Sequence, residues 1–308
     1  MMKAIVCTKY GPPEVLQLKE MVKPVPRNLE VCIKIFATAV TASDCIVRGF
    51  KLPKWSPMGL MMALALGFPK PRQPILGIVF AGEVEAAGKD VKAFAPGDQV
   101  FGWDPTPAFG AYAEYKCMPE KGVVAVKPAM LSYEEAAAIP YGGLLALHFL
   151  RKGSIQHGHK VLIYGASGAV GTSAVQLAKT FGAEVTGVCS AANLEMVKSL
   201  GAGTVLDYTK EDFTNRDDHY DLIFNAVGKR KAQLQCKKAL TPSGKYVTID
   251  DGTPRIQAEG LIFLKGLIEM GKLKPVIDRS YPLGQMTEAH RYVDRGHKKG
   301  NVVITIKD

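Results

Sequence analysis

The sequence predicts an α/β protein in which a β-rich domain precedes a doubly wound parallel sheet. Three observations carry that expectation. Strand-like runs punctuated by Gly and Pro fill residues 1–125, whereas from about Ser132 short apolar strands alternate with helical patterns. Between the first of these later strands and its helix, glycines recur every third position, at Gly165, Gly168 and Gly171. At 308 residues the chain is long enough for about two domains of roughly 150 residues each.

In order, the first region offers strands at Met2–Thr8, Glu30–Thr38, Ile75–Ala86, Gln99–Gly102 and Ala111–Lys116, each bounded by turn residues. In the second region Val161–Tyr164 is the first strand. Ala169–Phe181 follows as a helix with Ala174, Val175, Ala178 and Phe181 on one face. Glu184–Cys189, Thr204–Leu206, Asp221–Asn225 and Lys245–Ile249 supply four more strands, with a helix Leu194–Leu200 stopped by Gly201. The tail holds helices Glu259–Met270 and Glu288–Asp294 and a last strand Val302–Ile306. The change of pattern puts a domain boundary near residue 125.

Composition narrows the function. Hydrophobic residues at 47% and charged residues at 22% describe a globular protein, not a disordered or fibrous one. The longest apolar stretches, Pro57–Phe68 and Ala136–Leu150, fall short of the ~20 residues a membrane-spanning helix needs. The N-terminal run reads as a strand and not as a signal peptide, and the scattered Cys7, Cys32, Cys45, Cys117, Cys189 and Cys236 read as reduced thiols, so a cytoplasmic protein is expected. No Cys/His cluster has metal-ligand spacing; His157 and His159 sit in a glycine-containing connector. A net charge of +10 favours anionic partners, but no basic helix or aromatic-basic platform marks a nucleic-acid surface.

The stretch Gly165-Ala166-Ser167-Gly168-Ala169-Val170-Gly171 is the most informative in the chain. Its first glycine permits a tight turn, the second lets backbone approach a pyrophosphate, and the third lets helix pack closely on strand. The helix N-terminus then presents free N–H groups and a positive dipole end to the phosphates. NAD sites place a carboxylate at the end of the second strand for the ribose 2′-OH. Here that strand ends Cys189-Ser190-Ala191-Ala192-Asn193, with no acid. Ser190 and Asn193 leave room for a 2′-phosphate and favour NADPH over NADH; alternatively, or in addition, they cap the helix beginning near Leu194. Asn225-Ala226-Val227-Gly228 ends the fourth strand at the carboxyl edge of the sheet, where cofactors pass.

The chain resembles the zinc-independent branch of the medium-chain dehydrogenase/reductase superfamily, the quinone oxidoreductase or zeta-crystallin-like group. The resemblance covers nearly the whole chain. It rests on Gly11–Leu16, Ala37–Asp44, Gly77–Val84, Pro96–Gly102, the loop Gly165–Gly171, Ser199–Ala202 with Asp207-Tyr208, and the tail segments Lys274–Asp278 and Ala289–Tyr292. It implies a chaperonin-10-like catalytic domain built from residues 1–125 and the tail 257–308, around a Rossmann domain of residues 126–256. It also implies Thr41 and Ile78 at the positions where zinc-dependent relatives carry a cysteine and a histidine ligand, so no zinc is expected.

The activity implied is hydride transfer from NADPH to a small, hydrophobic, electron-poor acceptor, a quinone or an α,β-unsaturated carbonyl, whose conjugation spreads the developing charge without a metal. A metal-free alcohol or carbonyl dehydrogenase and a low-turnover NADPH-binding protein are the alternatives. Thr41 faces substrate or nicotinamide, or makes a strand-end hydrogen bond. Asp44 and Arg48 match the family's D-x-x-x-R pattern, as catalytic groups or as a structural pair. Tyr208 corresponds to a tyrosine that approaches the adenosine phosphate, or is a half-buried core residue. Relatives carry lysine at Asn193 for the 2′-phosphate. The segment 51–74, with Trp55 and the Met-rich run 58–68, is core packing or a hydrophobic substrate wall. Between Ile249 and Glu259 relatives have further strands that pair subunits, so a monomer or an atypical dimer is expected.

Overall fold

The computed structural model describes residues 1–51, 57–211, 219–228 and 236–306; Trp55 lies outside them. The chain divides into two compact units, the first of Met1–Pro140, Gln257–Ile262 and Ile277–Asp308, the second of Tyr141–Ile256 and Phe263–Val276.

In the first unit β1 (Met2–Cys7) and β2 (Leu16–Met21) form an antiparallel pair. A larger sheet is organised on β3 (Glu30–Val40), with β4 (Val79–Ala87), β5 (Gln99–Trp103), β6 (Tyr115–Pro119), β7 (Val123–Val126), β13 (Ile277–Pro282) and β14 (Asn301–Thr305). Its order is β13-β14-β3-β4-β5-β7, and β6 also pairs β3. Consecutive residues Val31, Cys32 and Ile33 are all buried, because this strand is covered on both faces. The strand expected at Ala111–Lys116 forms further along, as β6. Tyr112 is diverted from it: its carbonyl accepts from Ile5 N–H at 2.8 Å and its N–H donates to Leu76 O at 3.0 Å. Helices α1 (Ala42–Arg48) and α2 (Pro57–Leu66) follow β3, and α3 (Tyr133–Ala137) packs on β3 and β4. Ser132 and Glu135 close a capping box at the start of α3. That packing carries the first unit to Pro140, beyond the change of sequence pattern near 125.

The second unit opens on α4 (Pro140–Lys152) and contains β8 (Lys160–Tyr164), α5 (Ala169–Thr180), β9 (Glu184–Cys189), α6 (Leu194–Ser199), β10 (Thr204–Asp207), β11 (Tyr220–Asn225) and β12 (Leu240–Thr248). All five strands are parallel in the order β10-β9-β8-β11-β12. The chain winds outward from β8 through β9 and β10, then restarts on the other side of β8, so the switch point lies between β8 and β11. No described strand continues the sheet past β12.

The tail divides differently from the expectation that all of it joins the first unit. α7 (Ala258–Glu269) straddles the division, and Phe263–Val276 goes with the second unit. Phe263 stacks on Phe181 at 6.3 Å, and Gln176 clasps Lys274, donating to its carbonyl at 3.1 Å and accepting from its N–H at 2.8 Å. α8 (Met286–Asp294) belongs to the first unit.

Candidate dinucleotide site and the buried cluster on α1

The three loop glycines meet different physical demands. Gly165 has φ +81°, and a Cβ there would stand 2.4 Å from Val227 Cγ2. At Gly171 a Cβ would approach Gly165 O to 2.1 Å, so helix α5 lies on the turn only without a side chain. Gly168 is unlike both. Its φ of −80° and ψ of 176° suit any residue, and the nearest atom to an added Cβ is 3.8 Å away. The protein's own packing therefore leaves open the space in front of Gly168, at the N-terminus of α5. Ala169 and Val170 begin that helix, whose first amides have no intrahelical acceptor, and Gly168 adds no side-chain cap. Ala166 is buried beneath the turn and Ser167 stands in it. This is an anion cradle that a Cβ would fill, and it fits a pyrophosphate.

At the end of β9, Ser190 and Asn193 are N-caps by position only. Neither side chain makes a capping hydrogen bond. Instead Asn193 Nδ2 donates to Ser190 Oγ at 3.1 Å, and the buried Asn193 Oδ1 has no partner. Turning the amide over exchanges the roles: Ser190 would donate to Oδ1, leaving an NH₂ free to bind an acceptor. Asp207, at the end of β10, accepts from Thr209 N–H and Oγ on one oxygen, and its other oxygen is buried without a partner. The carboxylate is held below its ordinary range, first by the Thr209 hydroxyl. Tyr208 beside it is half exposed, so it is not a core residue.

At the end of β11 the fully buried Asn225 shapes the next turn. Its Oδ1 accepts from Val227 N–H at 2.9 Å and Gly228 N–H at 3.1 Å, and its Nδ2 donates to Tyr246 Oη at 2.9 Å. Both ends of the amide are thereby engaged, and Val227 is set against Gly165 across the switch point. Gly228, with φ +76°, completes the turn.

In the first unit Thr41, Asp44 and Arg48 are all buried. Thr41 is the N-cap of α1, its hydroxyl donating to Asp44 Oδ2 at 2.6 Å and accepting from Asp44 N–H at 3.2 Å. Thr41 directly follows β3, so these bonds are made where the strand ends and α1 begins. Asp44 also accepts from Gly77 N–H and Tyr112 Oη. Burial pushes its carboxyl up to about 6, against the pull of these donors. The expected Asp44–Arg48 pairing gives way to another: Arg48 binds Asp294 of α8 at 2.5 Å, because its helical position aims it at the tail.

Sequence reasoning missed the rest of this cluster. Tyr112 Oη, donating to Asp44, lies 3.2 Å from His290 Nε2, and Cys45 Sγ lies 3.5 Å from His290 Nδ1. The consistent proton arrangement has Nε2–H donating to Tyr112 and Nδ1 accepting from the thiol. Burial, with Arg48 nearby, pushes His290 down to about 3, so it is neutral. A depressed histidine contributes stability that is present above the unfolded value of about 6.5 and is lost as pH falls toward 3. Denaturant titrations between pH 7 and 4 should show wild type losing stability more steeply than His290→Gln; equal slopes would contradict a neutral His290. Asp44, whose value is raised, acts with the opposite sign, its contribution fading as pH rises through about 6.

The Met-rich segment is not simply core. On α2 Leu60, Met61 and Leu64 are exposed and Leu66 is buried, with Tyr10 Oη donating to Leu66 O at 3.1 Å.

A parallel sheet with a glycine cradle at its switch point, joined to a chaperonin-10-like sheet, defines an oxidoreductase of the dinucleotide-binding class. Two family models match: an alcohol dehydrogenase GroES-like domain over residues 27–128 and a zinc-binding dehydrogenase over residues 200–304. The chain is 36% identical to 2-methylene-furan-3-one reductase of Solanum lycopersicum, across 98% of this chain and 79% of that protein. It is 32% identical, with the same coverage, to the chloroplastic NADPH-dependent alkenal/one oxidoreductase of Arabidopsis thaliana. Among solved structures it resembles the quinone oxidoreductase of Coxiella burnetii, with TM-score 0.88 and 29% identity over 99% of both chains. The chain belongs to the medium-chain dehydrogenase/reductase superfamily, in its quinone oxidoreductase group.

One matching family is named for zinc, and the residues here do not fit that ion. The buried Thr41 hydroxyl is engaged with Asp44, and Ile78 is an alkyl chain with no donor atom for a metal. Among the described residues no group of three or more His, Cys, Asp or Glu side chains is arranged so that it could hold a metal ion. No described helix is long and apolar enough to cross a membrane.

Proposed function

We propose that the protein reduces a quinone or an α,β-unsaturated carbonyl with NADPH, without zinc. The observation that carries the cofactor reading is the open space before Gly168 at the α5 N-terminus, beside a β9 end that holds no carboxylate. When bound, NADPH supplies a hydride from its nicotinamide C4. The amides of Ala169 and Val170 would hold the pyrophosphate, and Ser190 with Asn193 would receive the 2′-phosphate. Tyr208 offers an exposed ring next to that position. Asn225, with both ends of its amide spent, acts by holding Val227 and Gly228 at the cofactor edge. Thr41, Asp44 and Arg48 act as positioning residues: the capping box and the tie to Asp294 hold α1 rigidly against α8. The Thr41 hydroxyl proton is engaged by Asp44, so protonation of the reduced product falls to water.

The relatives named for alkenal/one and furanone reduction support this acceptor class. NADPH oxidation followed with a small quinone and with an enone tests it. Turnover on either is expected, and turnover confined to alcohols with NADP⁺ would refute it. Ser190→Asp should weaken NADPH binding by at least about tenfold, since a carboxylate would face the 2′-phosphate. An unchanged dissociation constant in a fluorescence titration would remove Ser190 from the site. Among the described residues no strand continues the sheet past β12, where the resemblance implies further strands that pair subunits in relatives; this supports a monomer or an atypical dimer, measurable by light scattering. All six cysteines are free, which supports a reducing compartment such as the cytoplasm.

A further inference from the structure

We infer that Cys32 and Cys117, facing each other across β3 and β6, form a dithiol oxidation site that closes to an intramolecular disulfide on reaction with a hydroperoxide. The two strands are antiparallel, and the register sets these residues directly opposite one another. Ile35 N–H donates to Glu114 O at 2.8 Å, and Glu120 N–H donates to Leu29 O at 3.0 Å. Those bonds fall at the odd positions of β3 and its flanks, so Cys32 and Cys117 occupy a non-hydrogen-bonded pair. In such pairs the Cα atoms sit about 4.5 Å apart and the side chains are at their closest. Disulfides span Cα separations from about 4.4 Å, so closure needs little backbone movement.

The Cys32 thiol donates to Pro24 O at 3.8 Å, and the register brings the Cys117 side chain opposite it on the same face of the sheet. Two facing thiols favour one thiolate and disfavour a second: hydrogen bonding from Cys117 holds Cys32 below the ordinary thiol value, and Cys117 is pushed up in turn. Lys23 adds a positive charge near Cys32, while Glu85 opposes it. Cys32 is itself buried, as are the other four cysteines, but in those four burial prevails and pushes Cys7 and Cys189 up to about 11 and Cys45 and Cys236 up to about 12. Nucleophilic thiolate is therefore concentrated at the facing pair. Cys117 is partly exposed and gives a small oxidant access to it.

The chemistry balances. The Cys32 thiolate attacks one peroxide oxygen; an S–O bond forms, the O–O bond breaks, and the departing hydroxide takes a proton to become water. The Cys117 sulfur then attacks the Cys32 sulfenic acid; the S–S bond forms, the S–O bond breaks, and a second water leaves with the thiol proton. Two thiols are oxidised and one peroxide is reduced. The new bond would join β3 to β6 and close the loop that carries α1.

Peptide mapping without reductant, after treatment of the reduced full chain with graded hydrogen peroxide, tests the site. The expected product is a linked Cys32–Cys117 peptide pair two hydrogens lighter than the free peptides, restored by dithiothreitol, with the other four cysteines still open to alkylation after unfolding. Oxidised wild type should melt above reduced wild type, and Cys117→Ser should show no such shift while a dimedone adduct collects on Cys32. Both thiols remaining alkylatable at peroxide doses that oxidise free cysteine would overturn the inference. So would linkage of either residue to a different cysteine or to a second chain.

Discussion

Gly168→Ala is expected to weaken NADPH binding at least tenfold, and as much as about a hundredfold, while the melting temperature stays within about 2 °C of wild type. One tenfold step is about 1.4 kcal/mol, a modest cost for a methyl group placed where a pyrophosphate must approach backbone. The fold has no reason to object, because the added Cβ meets nothing closer than 3.8 Å and the backbone angles suit alanine. Gly171→Ala should behave in the opposite way. Its Cβ would lie 2.1 Å from a backbone oxygen, and relieving that overlap by shifting α5 costs about 1–3 kcal/mol, or roughly 2–12 °C. Isothermal titration and thermal melts of the two variants separate a ligand-imposed glycine from a packing-imposed one. Unchanged NADPH affinity in Gly168→Ala would remove the cradle as the phosphate site.

The second large effect is expected at Asp294. Arg48 is only 1% exposed, and among its guanidinium nitrogens Nε and Nη1 are buried without a partner, so its charge depends on the 2.5 Å contact to Asp294. Removing that carboxylate leaves a buried cation uncompensated, which costs about 3–5 kcal/mol in a sealed pair. Asp294 is itself 24% exposed, so solvent screening brings the expectation for Asp294→Asn to about 2–3 kcal/mol. The double variant Arg48→Met/Asp294→Asn should lose less than Asp294→Asn alone, since no buried charge remains. The Arg48 hydrogen bond and charge outweigh desolvation and hold Asp294 below the usual carboxylate range. A depressed carboxylate contributes stability above its unfolded value of about 3.9, lost as pH falls through the folded value. The difference between wild type and Asp294→Asn in urea should therefore narrow in acid. A neutral effect of Asp294→Asn at pH 7 would show that Arg48 is held by something else.

The parts of this protein visible in its sequence are those set by local stereochemistry. The alternation of strands and helices from Val161 onward is realised as β8 to β12, because β8, β9 and β11 carry runs of buried apolar residues; β12 is more polar and begins at Leu240, ahead of the expected Lys245. β2, β7 and β13 went unread: β2 and β13 are mostly polar or exposed, so neither period nor composition marks them, and the apolar β7 is only four residues long. The pattern change near 125 misplaced the division of the chain because α3, helical in sequence, packs on the first unit's sheet. Likewise the resemblance sent all of the tail to one unit, while the Gln176–Lys274 clasp draws part of it to the other. Capping by Ser190 and Asn193 fits their residue types, but β9 leads into a tighter turn in which the two side chains bind each other.

By itself the sequence determined the parallel sheet, the glycine cradle and the absent acid at the end of β9, all properties of residues within a few positions of one another. Tertiary structure alone decided what surrounds α1. Asp44 meets Tyr112, Tyr112 meets His290 from 178 positions away, and Arg48 meets Asp294 from 246 positions away. The same holds for Cys32 and Cys117, whose opposition depends on the register of β3 against β6. Such contacts follow from which apolar faces are buried together and in what register, and a one-residue slip of a strand would abolish them without changing a letter of the chain.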